Sequence, residues 1–394
     1  MIMKPSQIVE GLWSVGAVDW DRRLFDSLIP LPDGTSYNSY LVRGTEKTAL
    51  FDAVDPSRAD ILLENLKDVP SLDYVVAHHA EQDHSGSLPA VLEKYPAAKL
   101  VCSPKAKGIL VDHLGLPEER IVVAADGETL SLGGKTLEFV HTPWVHWPET
   151  MCTHLREDGV LLSCDFFGSH FAQSGLFVED ERAIYPAAKR YFAEIMMPFR
   201  AAIRKNMDRL KALDIRIIAP SHGPVYGRPA FILDAYRDWI SETPKNSVLI
   251  AHVSMHGSTE RMVARLISAL AERGVDVQAF NVSAVDLGKM AAALIDAATI
   301  VLASPAVHVG LHPNAASAAF LVNALRPKAR FAALVGSYGW GHKMAEQAVG
   351  LLPNLKVEVL PPLFVKGMPR EADLRAVDEL AETIARKHRE AGLA

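Results

Sequence analysis

Within six residues, His79-Ala-Glu81-Gln-Asp83-His84, the chain places two imidazoles and two carboxylates, directly behind the apolar run Tyr74–Ala77. A short apolar run that ends in a polar loop reads as a buried strand, so this part of the chain is committed to a sheet. A strand end is a rigid platform, and the loop leaving it aims successive side chains in different directions. His79 and Glu81 can serve one metal ion while Asp83 and His84 serve another. A merely solvated loop seldom concentrates two histidines and two carboxylates so densely.

Three further candidates stand at later strand ends. His146 lies in Thr142-Pro-Trp-Val-His146-Trp-Pro148, behind a strand expected over Thr136–Thr142. Asp165 closes the run Val160–Asp165, and His222 follows Ile217-Ile-Ala-Pro-Ser221. Alone, a loop histidine is commonly a surface residue, and an aspartate at a strand end is commonly a cap. In this order, behind the first cluster, they form a pattern.

The surrounding text supplies the sheets. With 394 residues the chain is too long for one ordinary core and suits two domains. Up to about residue 240, strands are expected at Tyr37–Arg43, Thr48–Ala53, Tyr74–His78, Thr136–Thr142, Val160–Asp165 and Ile215–Pro220. Helices such as Leu88–Tyr95 and Phe192–Ala212 lie between some of them. Strands and helices mix without strict alternation, which indicates a layered α/β domain. The polar segment Ser241–Ser247, with Pro244, reads as a linker between domains 1–243 and 247–394. Beyond it the rhythm changes to five strands (Ser247–Val253, Val275–Asn281, Thr299–Ala303, Phe331–Gly336, Lys356–Leu360) alternating with five helices (Arg261–Ala271, Lys289–Asp296, Asn314–Leu325, His342–Leu352, Glu371–Arg389). That alternation predicts a doubly wound five-stranded parallel sheet.

Three loops of this second domain fall at carboxyl ends of its strands, where open α/β sheets bind ligands. The first is Ser254-Met255-His256-Gly257-Ser258-Thr259, directly before a helix. Hydroxyls and amides at a helix N-terminus form an anion site, although Ser and Thr are also ordinary N-caps. The second is Ser304-Pro305-Ala306-Val307-His308-Val309-Gly310, and the third is Ser337-Tyr338-Gly339-Trp340-Gly341. Glycines on both sides of Trp340 favour an exposed loop over a core aromatic.

Other features exclude. A net charge of −6 with no basic run argues against nucleic acid, whose binding rests on phosphate neutralisation. No apolar stretch is long enough to span a membrane or to serve as a signal peptide. The three cysteines, Cys102, Cys152 and Cys164, form no CxxC pair, which excludes a disulfide framework and a rubredoxin-type iron site. A cytoplasmic location is expected.

The order of ligands at strand ends resembles the metallo-β-lactamase fold, an αββα sandwich with a metal site at one edge. Zinc hydrolases of that fold usually show HxHxDH; here the motif is HxExDH, the flavodiiron variant. Tyr37-Asn-Ser-Tyr-Leu-Val42, His146-Trp-Pro-Glu-Thr-Met151, Asp165-Phe-Phe-Gly168 and Ser221-His-Gly-Pro224 also resemble the flavodiiron proteins (A-type flavoproteins). The resemblance extends through the second domain, whose three loops look like the FMN phosphate loop and the two isoalloxazine loops of flavodoxins. It implies α/β architecture throughout: a metallo-β-lactamase-like αββα sandwich followed by a flavodoxin-like doubly wound sheet. It also implies a carboxylate-bridged diiron centre, two Fe per chain. His79, Glu81 and His146 then hold one iron, Asp83, His84 and His222 the other, and Asp165 bridges. Mixed imidazole and carboxylate ligands with open positions suit non-heme iron, whereas closed tetrahedral sites suit structural zinc.

By the same resemblance the expected activity is reduction of O2 to water, of NO to N2O, or both. Electrons come through FMN from a separate rubredoxin or a reduced deazaflavin. The assembly is a head-to-tail homodimer or a dimer of dimers, with Trp147 facing the partner's flavin. Two positions depart from or extend the pattern: Asp26 stands where relatives often carry a histidine, and Tyr191 where they often place a tyrosine. In the second flavin loop, Ala306-Val307-His308-Val309 replaces an Asn-rich stretch. Two other readings compete. A binuclear zinc hydrolase with an accessory flavodoxin-like domain is opposed by Glu81 and the flavin loops. A non-catalytic electron carrier leaves seven ordered ligands without a purpose.

Overall fold

In the computed structural model, residues 4–394 are described. The chain divides into two compact units, the first ending at Ile240 and the second spanning Ser241–Ala394.

The first unit is built on two sheets. One has seven strands in the order Ser6–Val9, Leu12–Ser14, Tyr40–Arg43, Thr48–Phe51, Tyr74–Ala77, Lys99–Cys102, Ile121–Val123. Its ladders are antiparallel up to Thr48–Phe51 and parallel from there on. The other has five, Thr129–Ser131, Thr136–His141, Met151–Leu155, Val160–Cys164 and Ile217–Pro220, of which only the last pair is parallel. The period of two along each strand separates the layers. Phe51, Val76 and Val101 point between the sheets, onto Phe139, Met151, Leu162 and Ala219. Their neighbours Leu50, Val75 and Leu100 point the other way, onto Leu62, Leu88, Val91 and Leu110 of the covering helices. In the second sheet every residue of Met151–Leu155 and Val160–Cys164 is buried, so both of its faces are covered. The result is an αββα sandwich.

In the second unit the parallel order is Asp276–Asn281, Ser247–His252, Thr299–Val307, Phe331–Tyr338, and then a fifth position. The strand expected at Lys356–Leu360 is instead two pieces, Glu358–Val359 and Leu363–Lys366, both parallel to Phe331–Tyr338. Pro361 and Pro362 stand between them; proline offers no N–H to a ladder. Val248, Ile250, Val301, Ala333 and Val335 meet Met262, Leu266, Val377, Ala381 and Ile384 of the first and last helices in a separate core.

Several boundaries differ from expectation. Tyr37–Arg43 is two strands, Thr35–Tyr37 and Tyr40–Arg43, in different sheets. The helix expected over Phe192–Ala212 begins earlier, at Glu181, where Asp180 caps it by accepting from the Arg182 amide. It then widens into a π turn over Phe192–Met196, tightens at Met197–Phe199 around Pro198, and resumes at Arg200–Leu210. The strand expected to stop at Ala303 runs on to Val307, so half of the second loop is strand. The linker segment is held to the second unit: the Lys245 amide donates to the Asp296 carbonyl, and the Lys328 ammonium donates to Ser241 Oγ. Among the described residues, no helix is long and apolar enough to cross a membrane.

Candidate metal centre

Strands Tyr74–Ala77, Val160–Cys164 and Ile217–Pro220 end at one edge of the sandwich, and the ligand candidates follow them. Glu81 is the N-cap of a single turn, Gln82–Ser85, that presents Asp83 and His84; Ser85 Oγ donates to the Ala80 carbonyl and closes that loop. His222 is followed by Gly223 at φ +80°, where a Cβ would lie 2.1 Å from Ser169 Oγ, so only glycine lets the two loops approach.

The seven side chains converge as two groups. One ligand atom from each of His79, Glu81, His146 and Asp165 lies within 4.8 Å of the others, and the same holds for Asp83, His84 and His222. In the first group, Glu81 Oε2 is 3.0 Å from His79 Nε2 and 3.1 Å from His146 Nε2. In the second, His222 Nε2 is 3.0 Å from Asp83 Oδ2, and His84 Nε2 is 3.4 Å from Asp83 Oδ1. Asp165 reaches both. Its Oδ2 lies 3.5 Å from His79 Nε2 and 3.6 Å from His146 Nε2, and its Oδ1 lies 3.1 Å from His84 Nε2 and 3.4 Å from His222 Nε2. A third set, Asp52, His84 and Cys164, is also close, but Asp52 is committed to the His78 ring and amide, both at 2.8 Å.

Glu81 Oε2 is hydrogen-bonded by both His79 Nε2 and His146 Nε2, but other atoms of the two groups face one another without bonding. Asp83 Oδ1 and Oδ2, His84 Nε2 and Asp165 Oδ2 are buried with no hydrogen-bond partner, a costly condition unless a ligand relieves it. The outer nitrogens show why Nε2 is free to ligate. His222 Nδ1 donates to the Ser36 carbonyl at 2.7 Å, and His79 Nδ1 donates to Glu149 Oε1 at 2.7 Å. A carboxylate behind His79 and a backbone carbonyl behind His222 are the kinds of partner that orient a metal-ligating imidazole. The field points the same way. Burial pulls His79 down, but hydrogen bonds to Glu149 and Glu81 outweigh it and push the ring up to about 9. Against the same burial, Asp165 and Asp83 push His84 up to about 9 and His222 up to about 10. The carboxylates that raise these rings give the site a negative field that would favour cations, and the donor set of four imidazoles and three carboxylates fits two irons.

Around the centre, Tyr191 Oη donates to Asp165 Oδ1 at 2.9 Å from the last turn before the π segment. Trp147 stands edge-on to His79, with ring centroids 4.9 Å apart. A cavity of about 630 Å³ opens beside Glu81 and Asp83, lined also by Arg22, Phe25, Asp26 and Trp147. Burial, then the charges of Glu81 and Asp83, raise the Asp26 carboxyl. Sequence reasoning left Glu149, Cys164 and His170 without roles. Glu149 sat inside the quoted His146–Met151 motif, and only the fold shows that it holds His79. Cys164 Sγ is 3.9 Å from His84 Nδ1, a contact no spacing rule announces.

The three loops of the second unit adjoin one another at one end of its sheet. Gly257, at φ +83°, is the N-cap of the helix Ser258–Ala271 and brings no side chain of its own to cap it. Its first amides are therefore open to an anion, apart from that of Glu260, which donates to Ser254 Oγ at 3.3 Å. Thr259 Oγ1 and Ser337 Oγ, 3.0 Å apart, tie the first loop to the third. Pro305 pairs with Ser337 across the ladder, and His308 and Val309 turn the second loop at φ +47° and +73° before Gly310. Tyr338 packs against His342, with centroids 4.6 Å apart. Met255 and His256 are exposed, and Trp340, between Gly339 and Gly341, is 86 % exposed. An open helix terminus beside exposed aromatic loops fits a phosphorylated, planar cofactor.

Known proteins resemble this chain in sequence and fold. Residues 35–223 match the family model described as ODP family beta lactamase. A protein named nitric oxide reductase, from Moorella thermoacetica, is 34% identical over 393 residues, covering 97% of this chain and 98% of its own. The solved structure of rubredoxin oxygen:oxidoreductase from Desulfovibrio gigas superposes with a TM-score of 0.94 at 30% identity, over 99% of this chain and 100% of that one. The flavodiiron protein from Giardia intestinalis superposes with a TM-score of 0.89 at 26% identity, over 98% of each chain.

Proposed function

The chain belongs to the flavodiiron protein family and is an oxidoreductase acting on O2, NO or both; we propose that seven side chains hold two irons for that reaction and that FMN in the second unit delivers the electrons. His79, Glu81 and His146 would hold one iron, Asp83, His84 and His222 the other, with Asp165 between them. The observation that carries this reading is the divided carboxylate of Asp165, one oxygen turned to each ligand group. Two ferrous ions and a reduced flavin together hold four electrons, enough for O2 to two waters, and two of them suffice to take two NO to N2O.

The chain's own residues prepare the site. Glu149 and the Ser36 carbonyl fix the tautomers of His79 and His222. The Tyr191 hydroxyl holds Asp165 Oδ1, so the shared carboxylate keeps its orientation as charge changes beside it. The open end of the helix Ser258–Ala271 would take the FMN phosphate, and Pro305–Gly310 and Ser337–Gly341 its ring. By family likeness, the donor is a separate rubredoxin or a reduced deazaflavin in the cytoplasm. A head-to-tail homodimer, or a dimer of dimers, sets each flavin beside the partner's irons. The zinc hydrolase reading is disfavoured by Glu81, a carboxylate shared by His79 and His146.

The test is paired electrode traces of O2 and NO consumption by protein loaded with iron and FMN, with one saturating artificial donor and Glu81→Ala as control. Wild type should consume at least one gas catalytically and the variant should lose nearly all of that rate. Consumption of neither gas by reduced, fully loaded wild type sinks the proposal.

A further inference from the structure

The metal proposed above would account for the orphaned atoms of the ligand groups, but one more buried nitrogen nearby is left over. His170 is 7 % exposed, and its Nε2 has no hydrogen-bond partner. It stands outside both ligand groups. Its ring is packed on Tyr191 and His222, each with centroids 5.0 Å away, and on Phe25 at 5.3 Å. Those neighbours are the groups around the second set of ligands: His222 itself, and Tyr191, whose hydroxyl holds Asp165. The other nitrogen, Nδ1, lies 2.9 Å from Thr35 Oγ1.

The backbone leaves this ring little freedom. Beside it, the Ser169 amide donates to the His222 carbonyl at 3.1 Å and the Ala172 amide donates to the Asp33 carbonyl at 2.9 Å. Thr35 is fixed in turn by its ladder with Asp19. Alternation along Thr35–Tyr37 turns Thr35 and Tyr37 to one face, toward His170 and His222. Ser36 faces oppositely and takes the Gly223 amide on its hydroxyl. A phenylalanine would fill the space of the His170 ring. An imidazole there, locked by one nitrogen and unsatisfied at the other, is a donor or acceptor waiting for a ligand.

We propose that His170 is a positioning residue for the substrate, its Nε2 forming a hydrogen bond with the small oxygen- or nitrogen-bearing molecule that occupies the open position beside His222. The inference rests on the function proposed above. Neither tautomer is excluded by the partners: with Thr35 donating to Nδ1, Nε2 carries the hydrogen and donates; with the Thr35 hydroxyl turned to the Ser36 carbonyl, Nε2 accepts.

Azide is the probe, titrated into iron- and FMN-loaded protein and followed by its charge-transfer absorbance, with iron content measured on the same samples. His170→Phe should keep its iron and bind azide about five- to tenfold more weakly, the worth of one buried hydrogen bond. His170→Gln, which restores a side-chain hydrogen-bonding group, should recover part of that loss. Thr35→Val, which frees the ring to turn, should weaken azide binding without touching His170, and it carries the test if His170→Phe does not fold. Equal azide affinity in wild type and variants at full iron overturns the proposal and leaves the function intact. Loss of iron from both His170→Phe and Thr35→Val also overturns it, because His170 would then serve to hold His222. Wild type that takes up no iron overturns the function on which the proposal rests.

Discussion

At the scale of single residues, the centre depends on partners as much as on ligands. His79 aims Nε2 inward because Glu149, itself buried, accepts its Nδ1 proton and the Ala80 amide. Removing such a partner typically weakens metal binding about 10- to 100-fold. Glu149→Ala should therefore lower iron affinity by that order in a chelator competition, whereas Glu149→Gln, which still offers an oxygen to Nδ1–H, should lose far less. Equal affinity in all three proteins would remove Glu149 from the site. The convergence of the four histidines and three carboxylates was legible in the sequence because candidates of this kind follow strand ends, and strand ends are marked by apolar runs. Glu149 and His170 were not legible. Their partners are 70 and 135 residues away, and no local pattern encodes such a pairing.

At the scale of elements, the last helix carries a buried histidine far along the chain from either site. His388, within Glu371–Glu390, is fully buried; its Nδ1 is 2.8 Å from Asn246 Oδ1 and its Nε2 is 2.7 Å from Thr299 Oγ1. The Asn246 oxygen can only accept, so Nδ1 carries the proton and Nε2 accepts from the threonine. The neutral ring is satisfied, and burial pulls its pKa from 6.5 down to about 4. The unfolded chain therefore binds this proton more readily than the fold does. By linkage, the full stability is present above about pH 6.5, falls as pH drops toward 4, and is level below that. The loss is on the order of 3 kcal/mol. Thermal unfolding of the second unit should shift to lower temperature between pH 7 and pH 4.5, and His388→Gln should flatten that dependence. A variant whose pH profile equals that of wild type would assign the dependence elsewhere. Element boundaries were read less well than element types. The fifth parallel strand splits at Pro361-Pro362, and the long helix breaks at Pro198, although all three prolines stood in the sequence. Tertiary packing decided which side of each proline the element resumed on.

At the scale of the whole molecule, each unit has its own apolar core, so each can answer its own ligand. A ligand bound at 100 times its Kd stabilises its unit by about 2.7 kcal/mol. Calorimetry of the protein stripped of iron and FMN should show two transitions, with iron raising one and FMN the other. A single transition raised equally by either ligand would mean that the units unfold as one.

The amino-acid sequence by itself determined the two fold classes and singled out the seven side chains that the fold brings together and the three loops, because each is written locally: a period of two, an alternation of strand and helix, a polar cluster behind an apolar run. Only the tertiary structure decided that Asp165 turns one oxygen to each ligand group, that Glu149 and Ser36 set the tautomers, and that His170 is left with an unsatisfied nitrogen. Those are relations between strand ends distant in sequence. Their geometry follows from sheet order and close packing, which no single segment contains.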